Sequence, residues 1–149
     1  MIKNIVGCFF LLSLCFSIGV TSGGELSNDQ IGIDIKHYDI RLKVDTKRKM
    51  LSGYVDITLK IKEKIRFIEL DLIKQYFISK VTIDSTSTPF KHQQHKVFIK
   101  AGSLEVGSIH CIRVVYKGKP PEAINPPWSG GFTWKKSVDG YPWVGVSCQ

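Results

Sequence analysis

The chain has 149 residues, which is close to the size of one ordinary domain, so at most one full domain is expected. Hydrophobic residues make up 43% and charged residues 23%, values that argue against disorder, collagen-like repeats and a coiled coil. The formal net charge is +8, but the basic residues are spread along the chain. Because nucleic-acid binders more often cluster basic and aromatic residues on one face, we expect a solvated basic surface and no nucleic-acid partner.

The first residues are typical of a secretory signal. Lys3 supplies a positive charge, Ile5 to Val20 form an apolar run, and Val20-Thr21-Ser22 offers small residues suited to cleavage. The run is shorter than the roughly 20 residues of a typical membrane span. We therefore predict that residues 1–22 are a signal peptide, with a retained membrane anchor as the alternative. The prediction implies an exported protein, periplasmic or secreted, that meets a membrane only if this segment stays uncleaved.

Alternation of apolar and polar residues dominates the chain after a polar leader at residues 23–33. Two long alternating segments, joined by a polar turn at Lys47-Arg48-Lys49, predict a hairpin with one buried and one solvent-facing side. Gly53 lies inside the second segment and suggests a bulge or a close approach of backbone. The buried side of the first segment is predicted to carry Tyr38, Ile40, Leu42 and Val44.

Shorter alternating segments predict further strands. The third strand is expected to leave Glu69 and Asp71 in solvent, and the fourth to place Phe77 on one face with Val81 and Ile83. A loop is expected at 84–89, and later strands near residues 97–99 and 108–117. Since no segment keeps a helical period, the sequence predicts an all-β fold, a mostly antiparallel β-sandwich.

The composition changes at Gly118. Residues 118–127 hold four of the six prolines and therefore form neither a central strand nor a helix. All three tryptophans lie between Trp128 and Trp143, and Asp139-Gly140 is a strong turn signal. We predict that residues 131–149 form an aromatic-rich hairpin.

No catalytic or metal-binding motif is evident. His92 and His95 are three residues apart, but a zinc site would need a shared helical face and a third ligand, so an exposed hairpin tip is the better interpretation. His37 and His110 are single residues within strands and are expected to serve packing or the surface. The chain has no His-Glu-x-x-His, P-loop or Gly-x-Ser-x-Gly motif. We predict no catalytic residue, no metal ligand and no cofactor of its own for this chain.

After removal of the signal peptide two cysteines remain, Cys111 and Cys148. An exported protein can pair them, but two free, mostly buried thiols are at least as good an interpretation, since sequence does not place their Cα atoms within the ~4.4–6.8 Å that a disulfide needs.

The C-terminal stretch resembles the end of the N-terminal domain of aminopeptidase N-like zinc metallopeptidases, in particular their exported bacterial branch. The resemblance rests on Pro126-Pro127-Trp128-Ser129-Gly130-Gly131-Phe132-Thr133-Trp134 and on Gly140-Tyr141-Pro142-Trp143-Val144-Gly145-Val146-Ser147-Cys148-Gln149. The opening hairpin, with Asp34-Ile35-Lys36-His37-Tyr38 and Leu51-Ser52-Gly53-Tyr54, resembles that family less specifically. In all, the resemblance covers about residues 34–149.

The resemblance implies a β-sandwich domain at 34–149 that packs on a thermolysin-like catalytic domain. That second domain carries the zinc helix and the Gly-x-Met-Glu-Asn exopeptidase loop, and neither motif is in this sequence. The chain alone is therefore expected to be inactive and to hold no zinc, although the full-length family enzyme uses zinc to remove N-terminal residues from peptides. A truncated gene, a partial gene model and a genuine short protein remain open.

The resemblance also implies residue roles. Gln149 matches a glutamine that lines the first specificity pocket, where its amide hydrogen-bonds the N-terminal end of the peptide substrate. Phe132, Trp134, Tyr141 and Trp143 are expected to form the interface with the catalytic domain. The alternative is a stand-alone secreted β-sandwich binding module without enzymatic activity, whose tryptophans contact sugars or a protein surface.

Overall fold

The structure, a computed structural model, describes residues 25–147. The predicted signal peptide, Cys148 and Gln149 lie outside these residues, so the predictions made for them stay predictions. The described elements are, in chain order, α1 (Asn28–Ile31), β1 (Ile33–Asp45), β2 (Met50–Ile61), β3 (Phe67–Asp71), β4 (Tyr76–Ile83), β5 (Thr86–Ser87), β6 (Phe90–Gln93), β7 (Lys96–Lys100), β8 (Ile109–Gly118), β9 (Gly131–Lys136) and β10 (Pro142–Ser147).

The strands form two sheets that pack face to face and a separate hairpin. The larger sheet has the order β1-β2-β8-β4-β5, the smaller has the order β3-β7-β6, and among the named strands β9 pairs with β10 alone. Every pairing between the named strands is antiparallel. The predicted all-β, mostly antiparallel sandwich is confirmed, as is the C-terminal hairpin.

Alternate residues of the central strands build the core between the two sheets. Cross-strand neighbours such as Ile57 and Ile112 from the larger sheet meet Ile68 and Ile99 from the smaller one, and all four are buried. A buried aliphatic side chain of this size stabilises the fold by roughly 1.5–3 kcal/mol. The remaining buried members of this cluster are Leu59, Ile61, Ile78, Val81, Val97 and Val114.

The prediction of a buried face along the whole of β1 is wrong. Ile33 and Ile35 pack against the core, but Tyr38, Ile40, Leu42 and Val44 are between 41% and 59% exposed. The reason is geometric, because β1 is an edge strand of 13 residues and the strands of the covering sheet have only four or five. The alternation was interpreted correctly as a strand, but the second layer ends before it reaches the far half of β1.

Two further expectations are corrected within β3 and β4. Glu69 is buried, not solvated, because its carboxylate accepts hydrogen bonds from Lys96 and Ser27. Phe77 is 62% exposed, because the register of β4 shifts between Ile78 and Lys80 and turns Ile78 inward instead. A bulge of this kind adds one residue to a strand and reverses which side chains face the core.

The loop expected at 84–89 is shorter than predicted. Asp84 and Ser85 form a tight turn with positive φ angles of 48° and 71°, and Thr86–Ser87 already pairs with β4. Asp and Ser tolerate this backbone conformation better than branched residues, because their side chains can hydrogen-bond locally.

The polar leader contains one turn of helix that periodicity does not reveal. Ser27 and Gln30 form a reciprocal capping box at its start, and the Ser27 hydroxyl also donates to Glu69 at 2.7 Å. The spacing of a serine three residues before a glutamine is the signal that could have found it. No helix among residues 25–147 is long and apolar enough to cross a membrane.

Candidate functional site

The aromatic hairpin closes through a short polar turn. The Gly140 N–H donates to the Ser137 carbonyl at 3.0 Å, and the Ser137 N–H donates to the Tyr141 carbonyl at 2.8 Å. Gly140 has a φ of 82°, a left-handed conformation that glycine adopts without a steric penalty. The turn fixes the register that runs from Lys136 opposite Pro142 to Gly131 opposite Ser147.

The register divides the predicted interface residues between the two faces of the hairpin. Phe132 and Trp134 lie on one face and stack at 5.6 Å between ring centroids with an interplanar angle of 22°. Trp143 lies opposite Lys135 on the other face, and Tyr141 lies at the turn. Phe132 and Trp134 are partly buried, whereas Trp143 is 52% and Tyr141 is 72% exposed.

None of these four side chains belongs to the buried core cluster of the sandwich. The hairpin is instead attached through the proline-rich segment before it. The Phe132 N–H donates to the Pro121 carbonyl at 2.8 Å, the Ala123 N–H donates to the Phe132 carbonyl at 3.0 Å, and Lys49 forms an ion pair with Glu122 at 2.9 Å. The aromatic residues therefore form a second apolar group beside the sandwich.

The attachment requires glycine at position 131. A Cβ at Gly131 would lie 2.7 Å from the Ala123 nitrogen and 2.9 Å from the Pro121 carbonyl oxygen, both of which are backbone atoms. Its φ of 133° is also unfavourable for residues with a side chain. The Gly131 of the Trp-Ser-Gly-Gly-Phe stretch is thus explained by the close approach of two backbone segments.

A cleft of about 520 Å³ separates the hairpin from the β1–β2 turn. Lysine and tryptophan residues make up most of its lining, and the ammonium of one of these lysines, Lys49, is paired with Glu122. The Trp134 Nε1 atom is buried and has no hydrogen-bond partner within residues 25–147, although buried indole N–H groups usually have one. The cleft is lined by Thr46, Lys47, Lys49, Trp134, Lys135, Lys136, Gly140, Pro142 and Trp143.

Three residues that sequence reasoning kept apart form a hydrogen-bonded chain at the end of the larger sheet. His110 Nδ1 lies 2.6 Å from Asp84 Oδ2, and His110 Nε2 lies 2.7 Å from Ser108 Oγ. The connectivity is that of a Ser-His-Asp triad, but Ser108 Oγ also donates to the Glu105 carbonyl at 2.5 Å. With its single proton committed there, the Ser108 hydroxyl serves to hold the turn and is not an activated nucleophile.

The hydrogen bond from His110 and one from the Cys111 backbone N–H lower the pKa of Asp84 below its ordinary value. No local sequence signal marks this cluster, because Asp84 reaches His110 from 26 residues away.

The solvent-facing side of the larger sheet carries an ordered ion pair. Arg113 donates from Nε and Nη2 to the two Asp56 carboxylate oxygens at 2.6 Å each, and its guanidinium lies 4.2 Å from the centroid of the Tyr54 ring. The Arg113 hydrogen bonds hold the pKa of Asp56 below its usual range, and Asp56 raises the pKa of Arg113. Cys111 lies on this side and is exposed, so the expectation of a mostly buried thiol is wrong for it, and desolvation of the sulfur raises the pKa of the thiol.

The histidine pair is not arranged to bind a metal. His92 Nε2 lies 2.9 Å from the Leu72 carbonyl oxygen, and His95 Nδ1 accepts a hydrogen bond from the Lys74 backbone N–H at 3.5 Å. Within residues 25–147, no group of three or more His, Cys, Asp or Glu residues is placed to hold a metal ion. The described residues therefore do not fit a zinc site.

The fold is similar to part of several solved enzymes. A two-domain M1 zinc metallopeptidase, solved as an E323A mutant bound to L-arginine, is 23% identical with a TM-score of 0.56. The match covers 75% of this chain and 28% of that enzyme. The M1 zinc metallopeptidase from Deinococcus radiodurans is also 23% identical, with a TM-score of 0.56 over 73% of this chain and 27% of the other.

Yeast LTA4 hydrolase is similar over 83% of this chain and 20% of its own, at 18% identity and a TM-score of 0.59. The chain has a fold found in M1 zinc metallopeptidases. The matched part spans less than a third of the length of these enzymes. No family model and no curated relative matches the chain.

Proposed function

We propose that this chain is the non-catalytic N-terminal domain of an exported zinc-dependent aminopeptidase that removes N-terminal residues from peptides. The observation that carries the proposal is the fold, which is shared with M1 zinc metallopeptidases over three quarters of the chain or more. Because the described residues do not fit a zinc site, the metal would be held by the catalytic domain. That domain would supply the polarised carbonyl and the activated water of metal-assisted peptide hydrolysis.

Within such an enzyme, this chain would position Gln149 and help to shape the substrate cleft. The hairpin ends two residues before Gln149, so a sandwich held rigidly against the catalytic domain would place Gln149 at the start of the substrate cleft. The exposed Trp143 and Tyr141 would supply the contact area, since aromatic residues are enriched in the cores of protein interfaces. Phe132 and Trp134 would support them from within the hairpin.

The decisive test is the coding sequence that follows codon 149. The proposal expects an open frame that encodes His-Glu-x-x-His and a later Glu. The continuous product should bind one zinc and hydrolyse aminoacyl-anilides, and Gln149→Ala should raise KM more than Gln149→Glu does. A stop codon after codon 149, together with a protein ending at Gln149 that mass spectrometry detects in cells, would contradict the proposal.

The proposed export of the protein is tested by a separate experiment. The full chain is expressed in a bacterium with an intact secretion system, and the mature N-terminus is read by mass spectrometry. Cleavage after Ser22 is expected to leave Gly23 as the first residue of a periplasmic or secreted protein. Intact chain that fractionates with the membrane would instead support a retained anchor.

A second candidate is a secreted binding module without enzymatic activity. The cleft favours it, because lysine side chains beside two tryptophans suit a ligand with both negative charge and a flat apolar face. Titration with acidic oligosaccharides, with neutral ones as controls, tests this candidate. Saturable binding that Lys136→Ala weakens, together with a stop codon after Gln149, would make it the better proposal.

A further inference from the structure

The outer edge of β1 is an unfilled position in the larger sheet. β1 pairs with β2 along one edge, and no described strand lies along the other. A free edge presents a row of backbone N–H and C=O groups that can pair with another strand. Natural edge strands are usually short, bulged or covered, yet the only register shift in the β1–β2 pairing lies between Ile35 and His37. The edge from Tyr38 to Asp45 is regular, and no strand within residues 25–147 covers it.

The side chains of this stretch make the edge suitable for a partner strand. Four apolar residues on the inner side are exposed, and a small groove of about 170 Å³ beside Tyr38 leads from them toward the core. Exposed apolar groups in a contiguous row usually mark an interaction surface. The opposite side alternates in charge, with Asp39 and Arg41 already linked by a hydrogen bond of 3.2 Å.

We propose that β1 pairs with β1 of a second copy of this chain, antiparallel about a two-fold axis at Ile40, to form a continuous ten-stranded sheet. An isologous pairing of this kind must be complementary to itself. With Ile40 facing Ile40 of the second copy, Tyr38 faces Leu42 and Asp39 faces Arg41. Each Arg41 then lies between two carboxylates, Asp39 of its own chain and Asp39 of the other.

The charges select this register over its neighbours. A shift that centres the axis on Arg41 brings the two arginines face to face, and a shift to Leu42 places Arg41 opposite Lys43 and Asp39 opposite Asp45. Like charges directly opposite each other in a sheet are destabilising. A shift of one strand by a single residue relative to the other is excluded, because it places the apolar side of one strand beside the charged side of the other. The choice of a second copy as the partner follows from this self-complementarity.

Cysteine cross-linking in cells that express the full chain tests the pairing and its register. In a background with Cys8→Ser, Cys15→Ser, Cys111→Ser and Cys148→Ser, mild oxidation should convert most of the Ile40→Cys variant to a disulfide-linked dimer. Cross-strand partners have Cβ atoms about 4.5–5.5 Å apart, within reach of a disulfide after a small shift. Leu42→Cys should cross-link poorly, because its two copies are displaced by about 13 Å along the strands. Phe77→Cys, equally exposed on β4, is the control for random collision.

A charge exchange tests the proposal independently of cysteine chemistry. Asp39→Arg and Arg41→Asp should each weaken dimerisation by about tenfold or more, as measured by sedimentation of the full chain. The double variant Asp39→Arg/Arg41→Asp restores opposite charges across the axis and should recover most of the affinity.

Several results would overturn this inference. A monomer at all concentrations, Ile40→Cys cross-linking no better than Phe77→Cys, or preferential linkage of Ile40→Cys to a protein of different mass would each reject it. Cross-linking that is strongest at Arg41→Cys or Leu42→Cys would reject the register. None of these results bears on the coding sequence after codon 149, so this inference and the proposed function fail separately.

Discussion

The indole of Trp143 lies across Gly145, two residues further along the same strand. A Cβ added at Gly145 would come within 2.6 Å of the indole Cη2 atom, so the ring occupies the space that a side chain would take. The ring is thereby held against the strand while 52% of Trp143 remains exposed. A large apolar side chain fixed in this way loses little conformational entropy when a partner covers it, which is a property of aromatic anchors at interfaces.

We expect the exposed Trp143 side chain to reduce the solubility of the chain. Trp134→Gln/Trp143→Gln should raise the solubility of the chain and leave the sandwich folded, because neither indole belongs to its core. Thermal unfolding followed by circular dichroism checks this, with Trp143→Gln alone expected to shift Tm by less than about 2 °C. Ile112→Ala, a core variant, provides the contrast and should lower stability by about 2–5 kcal/mol. A comparable loss in the double tryptophan variant would mean that the indoles serve core packing.

The buried carboxylate of Glu69 predicts strong coupling between α1 and the smaller sheet. Lys96→Met leaves this carboxylate buried without its cation and should destabilise the chain by about 3–5 kcal/mol in urea unfolding. Lys96→Met/Glu69→Leu removes both charges and should recover much of that loss. Lys100→Met, on the exposed end of the same strand, should change stability by less than about 0.5 kcal/mol. Equal losses for the single and double variants would contradict the pairing.

The Asp56–Arg113 pair predicts a dependence of stability on pH. The pKa of Asp56 is lowered from an ordinary value of 3.8, so the folded state binds its proton less readily than the unfolded state does. The stabilisation is present above pH 3.8 and is lost as the pH falls through the lower, folded-state pKa. The free energy of unfolding of Asp56→Asn, measured against pH, should therefore fall less steeply in this acidic range than that of the parent chain. Parallel curves for the two proteins would count against the assignment.

The surroundings of Gly53 leave no space for a side chain at this position. Its Cβ would lie 2.0 Å from the Arg41 carbonyl oxygen, a backbone atom of the neighbouring strand that cannot move without disturbing the β1–β2 pairing. Gly53→Ala should therefore destabilise the chain by at least about 2 kcal/mol in denaturant unfolding. Ser52→Ala, the adjacent position, is the matched control and should have a small effect. A neutral Gly53→Ala would show that the strands can separate at this point.

Residues 25–147 offer no ligand set that fits zinc, and the resemblance places the catalytic motifs in another domain, so we expect neither bound zinc nor aminopeptidase activity from this chain alone. Purified residues 23–149 should neither hydrolyse aminoacyl-anilides nor carry stoichiometric zinc by metal analysis. One equivalent of tightly bound zinc would contradict this prediction.

Alternation in the sequence predicted the strands, because a strand places every second side chain on the same face whatever lies beyond it. It did not predict how far the second layer extends, and this is why Ile40 was expected to be buried. The same limit applies to Glu69, whose burial depends on Lys96 from another strand and on Ser27 from the leader. One extra residue between Ile78 and Lys80 reversed the expected side of Phe77, and no local sequence signal marks that bulge.

The hairpin was predictable for a different reason. Asp139-Gly140 specifies a turn, and the flanking aromatic residues have strong β propensity, so local chemistry was sufficient. The chain from Asp84 to His110 and Ser108 was not predictable, because its members meet only after β4 and β8 have paired. Contacts made by tertiary pairing of this kind leave no short-range spacing to recognise.

The separation of the hairpin from the sandwich core has a dynamic consequence. β2 and β8 are paired on both edges, whereas among the named strands β9 and β10 pair only with each other. Within the described residues, hydrogen bonds to the proline-rich segment attach β9 to the rest, and an exposed ion pair between Lys49 and Glu122 attaches that segment to the β1–β2 turn. An isolated two-stranded hairpin is only marginally stable in water. Amide hydrogen exchange should therefore proceed in two stages, with Phe132 to Val146 exchanging through local opening and Ile57 and Ile112 exchanging only through global unfolding. The chain would then behave as a rigid platform that carries a hinged aromatic arm, and a partner that binds the arm would slow its exchange without changing that of the platform.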